Sequence, residues 1–322
     1  MIWLTWRQHR KQALFTLVGF AALAALIIPT GLAMRSTFDH LGLPDCLAKL
    51  GHDQFVHGDF SNACNTAFKQ FNNQYAILSM VASLFVFLPL LVGLFWGAPL
   101  VAREIEHGTH RLVWTQGVSR QHWALVKFGL VGAATLVATI VYGLGMSWWL
   151  APLSQAGNPR FGWLNFDVQG LVPIGYTLFA VILGIFVGTI WRKVLPAMAA
   201  SLVGFLGLRI ALTILARPRY LPTRTLTFPV EGASPALNSA LGDWVTAMNV
   251  RDATGKVLMS NSQMGCPPNA TECAGLGPGA YNWEAYQPGS RFWLFQGIET
   301  GIFVALAALL LYLAIRRIRR IA

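Results

Sequence analysis

The run LVPIGYTLFAVILGIFVGTIW, residues 171–191, contains no charged side chain and decides the class of fold. A helix needs about 20 consecutive apolar residues to cross a bilayer core of about 30 Å. Runs of this kind recur at residues 13–34, 75–98, 124–150, 171–191, 196–216 and 292–315. They are continuous rather than alternating, so helices rather than barrel strands satisfy their backbone groups in lipid. The sequence predicts an all-α integral membrane protein with six transmembrane helices.

Composition agrees with a chain that is solvated mostly by lipid. The 322 residues are 55% hydrophobic and 11% charged, with a mean hydropathy of +0.51. A soluble domain keeps about a quarter of its residues charged. The sequence has no phosphate-binding loop GxxxxGK[ST], no G-x-S-x-G and no H-E-x-x-H. The chain is therefore not expected to be an enzyme or to bind ATP itself.

The basic residues predict how the helices are oriented, since short cytoplasmic loops carry an excess of Lys and Arg. One side of the predicted bundle has only short segments, and they are strongly basic. The basic residues of these short segments are Arg7, Arg10, Lys11, Arg103, Arg111, Arg120, Lys127, Arg192, Lys193, Arg316, Arg317, Arg319 and Arg320. Both termini are therefore predicted to be cytoplasmic. The net charge of +11 is a topology signal, and no nucleic-acid partner is expected.

The chain divides into four parts on this basis. Residues 1–12 predict an amphipathic helix in the membrane interface, with a plain basic tail as the alternative. Residues 13–216 hold helices 1–5 and a cytoplasmic elbow at 101–123. Residues 217–291 are rich in Pro, Gly, Asn and Ser but keep some hydrophobic positions, which predicts a small extracellular subdomain between helices 5 and 6. Residues 292–322 hold helix 6 and a basic cytoplasmic tail.

All four cysteines fall on the predicted outer side: Cys46, Cys64, Cys266 and Cys273. An oxidising exterior favours disulfides. Pairing within each outer loop is the simplest of three connectivities, and free thiols are the alternative.

The polar stretch VAREIEHGTHRLVWTQGVSRQHW, residues 101–123, interrupts the apolar sequence between the second and third runs. Gly108 suits a helix end, while Thr109 and Ser119 suit helix N-caps, so a short helix is expected between two breaks. That helix exposes apolar side chains beside an arginine, which favours a docking surface over an ordinary charged connector. The elbow residues are Glu104, Glu106, Gly108, Thr109, Arg111, Leu112, Val113, Trp114, Ser119 and Arg120.

This elbow resembles that of ABC-2-type transporter permeases. In that family a segment E-x-E-x-G-T, a short apolar helix and a T-x-x-V-S-R-like turn link the second and third spans. The matching residues are Glu104, Glu106, Gly108, Thr109, Thr115, Val118, Ser119 and Arg120. Gln116 and Gly117 stand where many relatives carry proline. The six spans and the long outer segment before the last span also fit the family.

The resemblance implies the permease subunit of a bacterial ABC exporter in the cell membrane. The chain would pair with a second copy or a paralogue, and its elbow would couple it to a separate ABC ATPase subunit. That ATPase would bind ATP and Mg²⁺, and this chain would bind no cofactor. The cargo would be a small molecule, a lipid or a peptide, exported by alternating access.

Two ionisable residues lie inside predicted spans, where charge is costly and usually paired or functional. Arg209 lies eight residues before Arg217, and Glu299 lies eight residues after Arg291. Both are therefore expected about 12 Å below the outer surface. This predicts an Arg209–Glu299 ion pair. The alternatives are that the charges line a polar cavity, or that the Arg209 side chain extends outward to the membrane surface.

Gly184 and Gly188 in the fourth run have the spacing of close helix packing. The partner helix lies either within one bundle or across a dimer interface.

Two other classes of protein stay open at this stage. A non-transporting sensor or assembly protein would use the outer segment to bind a ligand or partner. A membrane enzyme would use outer histidines and aspartates as a metal site, although a solvated loop explains them as well. Those residues are His40, His52, Asp53, His57 and Asp59. No metal site is predicted there or at the histidines of the elbow.

Overall fold

A computed structural model describes residues 2–50, 55–56, 62–108, 120–162, 165–191, 193–230, 234–235, 242–265 and 276–320. Within these residues, six helical segments are long and apolar enough to cross a membrane. They are Gln12–His40, Ala63–Glu106, His122–Gln155, Val172–Ile190, Val194–Arg219 and Gly289–Ile318. The prediction of a six-span, all-α membrane fold is confirmed. All spans but the fourth are longer than predicted, because their helices continue into the flanking polar sequence.

The helices of the described residues are as follows. They are α1 (Ile2–His40), α2 (Leu43–Leu50), α3 (Asn62–Leu84), α4 (Leu88–Val92), α5 (Ala98–Glu106), α6 (Arg120–Gln155), α7 (Asn165–Val168), α8 (Val172–Ile190), α9 (Val194–Ala211) and α10 (Phe292–Arg320). The first span is α1, the second α3–α5, the third α6, the fourth α8, the fifth α9 with its extension, and the sixth α10. Short 3-10 turns lie at Phe85–Phe87, Arg217–Arg219 and Gly289–Arg291, and π turns at Gly93–Gly97 and Leu212–Ala216.

The first span has no break near residue 12. Residues 2–12, for which the sequence predicts an interfacial helix, are helical and continue directly into the first span as the beginning of α1. The physical reason lies in the sequence. No glycine or proline occurs before Gly19, so nothing ends the helix between the N-terminal polar residues and the apolar run.

The second span is irregular around Pro89. Proline lacks an N–H group and its ring crowds the preceding turn. The helix tightens to a 3-10 turn at Phe85–Phe87 and widens to a π turn at Gly93–Gly97. Within the tightened turn, the Val86 carbonyl accepts a hydrogen bond from Arg209 Nη1 at 3.0 Å. The irregularity thus provides an acceptor for a charge from another span.

The fourth span is the centre of the bundle. In its most apolar stretch 72% of the residues are buried, against 6% in the first span. It crosses the second span at glycines, with almost no space between the backbones. A Cβ added to Gly184 would lie 2.5 Å from the Ala98 nitrogen, and one added to Gly188 would lie 3.0 Å from the Ala98 oxygen. These glycines therefore serve packing within one chain.

The segment between the fifth and sixth spans contains the predicted small subdomain. Its strands are β2 (Arg224–Pro229), β3 (Ser234–Pro235), β4 (Trp244–Arg251), β5 (Val257–Ser260) and β6 (Tyr281–Gln287), and β1 (Phe55–Val56) lies in the segment between the first and second spans. Four of them form an antiparallel sheet in the order β2-β6-β4-β5, and β1 pairs with β3. The Trp244 ring stacks on Phe161 at 5.9 Å and meets Phe295 of the sixth span at 6.3 Å. The sheet thus rests directly on the helical bundle.

A disulfide joins Cys46 of α2 to Cys64 of α3, with an S–S distance of 1.96 Å and a Cα–Cα distance of 5.9 Å. The prediction of pairing within the first outer loop is confirmed. Cys266 and Cys273 lie outside the described residues, as do His52, Asp53, His57 and Asp59.

Candidate functional site

The predicted elbow, residues 101–123, is described only at its two ends. α5 ends at Glu106, and Gly108 follows with a φ of +69°, a left-handed conformation that glycine adopts freely at a helix end. The third span begins at Arg120. The other predicted elbow residues lie outside the described part of the chain: Thr109, Arg111, Leu112, Val113, Trp114 and Ser119.

Two glutamates at this end of the second span connect it to two other spans. Glu104 forms an ion pair with Lys127 of the third span, and the lysine is buried. Glu106 Oε2 accepts a hydrogen bond of 3.0 Å from the main-chain N–H of Val194, the first residue of α9. The first N–H groups of a helix have no partner in their own helix. The N-cap residue of α9, Lys193, makes no side-chain cap, so Glu106 takes that role from a neighbouring helix.

A buried charge cluster lies at the other end of the bundle, close to the sheet. Its best-formed contact joins Arg217, at the end of the fifth span, to Glu299 of the sixth. Arg217 Nε donates to Glu299 Oε2 at 2.8 Å, and Nη2 donates to Oε1 at 2.7 Å. Arg217 is 2% exposed and Glu299 is fully buried. Paired donors of this geometry are among the strong hydrogen bonds of proteins.

Asp167 of α7 links this pair to a second arginine. Arg217 Nη2 donates to Asp167 Oδ1 at 2.6 Å, and Arg209 Nη2 donates to Asp167 Oδ2 at 2.5 Å. The direct Arg209–Glu299 pair expected from the sequence is therefore corrected to the order Arg209–Asp167–Arg217–Glu299. The prediction places Arg217 at the outer surface, whereas the turns at the end of the fifth span direct its guanidinium into the bundle.

The cluster is electrically balanced, with two guanidinium and two carboxylate groups. Balance matters because an unpaired buried charge is very costly. Tyr176 of the fourth span donates to Glu299, and its hydroxyl lies 3.3 Å from Asp167 Oδ1. Tyr220 donates to Glu299 Oε2 at 3.4 Å. Burial and then the Glu299 carboxylate raise the pKa of Tyr220, so its hydroxyl stays protonated at neutral pH.

Gln296 of the sixth span fixes the position of α7 in the cluster. Its Nε2 donates to the Phe166 carbonyl at 2.8 Å. Its Oε1 accepts from the main-chain N–H groups of Leu171 and Val172, both at 2.8 Å, where α8 begins. One fully buried amide thus joins α7, the fourth span and the sixth span.

The cluster is also reachable from between the helices. A cavity of about 450 Å³ lies between the second and fifth spans, with Asp167 and Arg209 in its wall. An opening beside paired charges allows water or a ligand to compete for them. The arrangement can therefore brace three spans or exchange partners as the helices move.

Sequence reasoning missed Asp167, Tyr176 and Arg217. Asp167 and Arg217 lie next to predicted spans, where charges are ordinary, and a tyrosine in an apolar run carries no charge. The usable signal was the setting of Asp167 in the aromatic segment FGWLNFDVQG. A carboxylate among such residues needs a buried partner.

The chain shows one family relationship. The model of the ABC-2 membrane transporter related family matches residues 17–217, which is more than half of the chain. No curated protein and no solved structure matches it. The chain therefore belongs to the ABC-2 membrane transporter related family, and the resemblance seen in the elbow is confirmed. With its six spans, it is a multi-pass membrane protein.

Proposed function

We propose that this ABC-2-related chain is the membrane-spanning permease subunit of an ATP-binding cassette transporter. A separate ATPase subunit binds ATP and Mg²⁺, and its cycle drives export of a small molecule, a lipid or a peptide by alternating access. The family match supports a transporter subunit, and the sequence has no phosphate-binding loop of its own. The observation that carries the proposal is a pair of contacts at the elbow end of the second span. Glu104 holds this end to the third span, and Glu106 holds it to the start of α9.

In this proposal the elbow and both termini face the cytoplasm of a bacterial cell, and the sheet faces outward. The basic short segments at the elbow end support this orientation. So does the Cys46–Cys64 disulfide at the other end, because disulfides persist in oxidising compartments. The first span buries little of its surface within the chain, which leaves a face for a second copy or a paralogue.

A force on the elbow has a physical route to the far end of the bundle. The two glutamates tie the second span to the third and fifth spans, so the three ends move together. The second and fourth spans touch backbone to backbone at Gly184, and a contact without flexible side chains transmits displacement directly. The fourth span carries Tyr176 into the charge cluster. ATPase closure would thereby reach the contacts that hold the fifth and sixth spans together.

The charge cluster then acts as the outer closure of the pathway. Asp167 contacts both arginines, so it keeps one partner if the other moves away. If the sixth span moves away from the fifth, Arg217 keeps Asp167 as its charged partner. Glu299 then keeps the hydroxyl of Tyr176 on the fourth span as a hydrogen-bond donor. Such an exchange lowers the free-energy cost of opening compared with breaking an isolated buried pair.

The test begins with purification of the tagged, full-length chain from its native host. An ABC ATPase subunit should co-purify in stoichiometric amount, and Trp114→Ala should weaken this association because it removes the apolar anchor of the elbow. Trp293→Ala, at an exposed tryptophan of the sixth span, is the matched control.

Coupling is then measured in nanodiscs that hold the complex. Spin labels at the exposed residues Ile77 and Ile210 report the distance between the second and fifth spans. ATP should change that distance in the unmodified complex, whereas Glu106→Arg should keep ATP hydrolysis and abolish the change. Asp252→Arg, a charge reversal in the turn between β4 and β5, should behave like the unmodified complex. Absence of any co-purifying ATPase, together with no distance change on adding ATP, would contradict the proposal.

A further inference from the structure

A second cavity lies between the first four spans, away from the charge cluster. Its volume is about 300 Å³, at the lower end of the range for small-molecule sites. Its wall is mainly apolar and rich in aromatic rings, among them Phe20, Phe85 and Trp96. None of the described residues that line it carries a charge.

Two hydroxyl groups in this wall have no hydrogen-bond partner among the described residues. They belong to Thr135 and Tyr142 of the third span, which are 1% and 3% exposed. The two residues lie about two helical turns apart and therefore share one face of the helix. A buried hydroxyl without a partner costs free energy that a suitable acceptor would recover.

The other threonines of the same cavity show that partners are available within a helix. Thr16 donates to the Gln12 carbonyl at 2.8 Å, Thr139 to the Thr135 carbonyl at 2.8 Å, and Thr177 to the Pro173 carbonyl at 2.7 Å. Thr135 does not make this bond, and a tyrosine hydroxyl cannot reach its own backbone. Thr135 and Tyr142 are thus two donors in an apolar wall that have no acceptor in the described part of the chain.

We propose that this cavity binds an uncharged, largely apolar small molecule whose carbonyl, ether or hydroxyl oxygen accepts from Tyr142 and Thr135. The aromatic wall suits a flat ring system, and the lack of charged lining disfavours ions and zwitterionic peptides. The inference rests on the proposed transport function in one respect, namely that molecules of this class are the exported cargo. Binding itself requires neither ATP nor an ATPase.

The test uses the purified full-length chain in phosphatidylcholine nanodiscs. Benzophenone, an uncharged aromatic ketone, serves as the photolabel, and labelled peptides are identified by mass spectrometry. Fluorenone and fluorene serve as competitors, since they share one ring system but only fluorenone has an acceptor oxygen. We expect labelling on the first three spans, and fluorenone should protect at a concentration between about twofold and tenfold lower than fluorene, as one net hydrogen bond implies.

Variants separate the site from general membrane partitioning. Tyr142→Phe keeps the ring and should remove most of the preference for fluorenone, whereas Tyr312→Phe, at an exposed residue of the sixth span, should leave it intact. Ala138→Phe fills the cavity and should abolish labelling there.

Three outcomes would overturn the inference. Labelling spread over the lipid-facing surface and unchanged by Ala138→Phe would exclude the cavity as a site. Equal protection by fluorene and fluorenone would show that the cavity accepts hydrocarbon, such as a lipid tail, and forms no hydrogen bond with a ligand oxygen. An unchanged preference in Tyr142→Phe would remove the assigned donor. Cavity binding in a chain that recruits no ATPase would instead contradict the transport function alone.

Discussion

Removal of a single charge from the buried cluster tests whether Arg217 and Glu299 form a true ion pair. Glu299→Met leaves Arg209 and Arg217 with one carboxylate, that of Asp167. Arg217→Met leaves two carboxylates with one guanidinium. The double variant Arg217→Met/Glu299→Met removes both charges and leaves the Arg209–Asp167 pair in balance.

The size of the effect follows from the contacts. Two unit charges about 4 Å apart attract by about 4 kcal/mol at an effective dielectric constant of about 20. Removing one partner of a buried pair costs about 3–5 kcal/mol, because the other charge stays buried. Each single variant should lose this much free energy of unfolding. The double variant should lose less than about 2 kcal/mol, since hydrophobic replacement of a whole buried pair is often close to neutral.

The assay is thermal unfolding in nanodiscs, followed by tryptophan fluorescence at one fixed scan rate. At about 2–4 °C per kcal/mol, each single variant should lower Tm by roughly 6 °C or more. Tyr312→Met, an exposed change on the sixth span, controls for substitution in that helix. A double variant as unstable as the sum of the two single variants would refute the pair. So would single variants that unfold within 2 °C of the unmodified chain, a margin of about 1 kcal/mol.

Two further predictions concern the disulfide and the helix crossing. Replacing Cys46 and Cys64 by serine releases a loop with a sequence separation of 18, which should lower the free energy of unfolding by about 3 kcal/mol. A protease should then cleave faster between α2 and α3, and an unchanged cleavage rate would contradict this prediction. Gly184→Ala should lower Tm by several degrees, because its Cβ would lie 2.5 Å from the Ala98 nitrogen. Gly207→Ala is the matched control, since a Cβ there meets nothing within 4 Å; equal effects of the two alanines would show that the close crossing is not the cause.

The spans were predictable because each depends on one local property. A run of apolar residues long enough to cross lipid must be helical whatever lies beside it. The Cys46–Cys64 bond was predictable in a similar way, since both cysteines lie in one outer loop. The continuity of α1 was also legible in principle, because no glycine or proline precedes Gly19.

Only part of the role of Glu104 and Glu106 could be predicted from the sequence. The pattern of Glu104, Glu106 and Gly108 marks the end of the second span and the family to which the chain belongs. It does not indicate that Glu106 caps α9, 88 residues further along the chain. A capping acceptor is usually sought within the same helix, and here tertiary packing provides it from another.

The sequence by itself determined the class of this protein: six apolar runs require a multi-pass helical bundle, and the family model matches residues 17–217. It also showed that charges inside spans need partners, because lipid does not solvate them. Only the tertiary structure decided which partners they have. Asp167 and Arg209 are 42 residues apart, and Arg217 and Glu299 are 82 apart. Pairing at such separations depends on how the helix ends turn and on how α7 packs on Gln296. The position of a residue along its own helix gives no information on either.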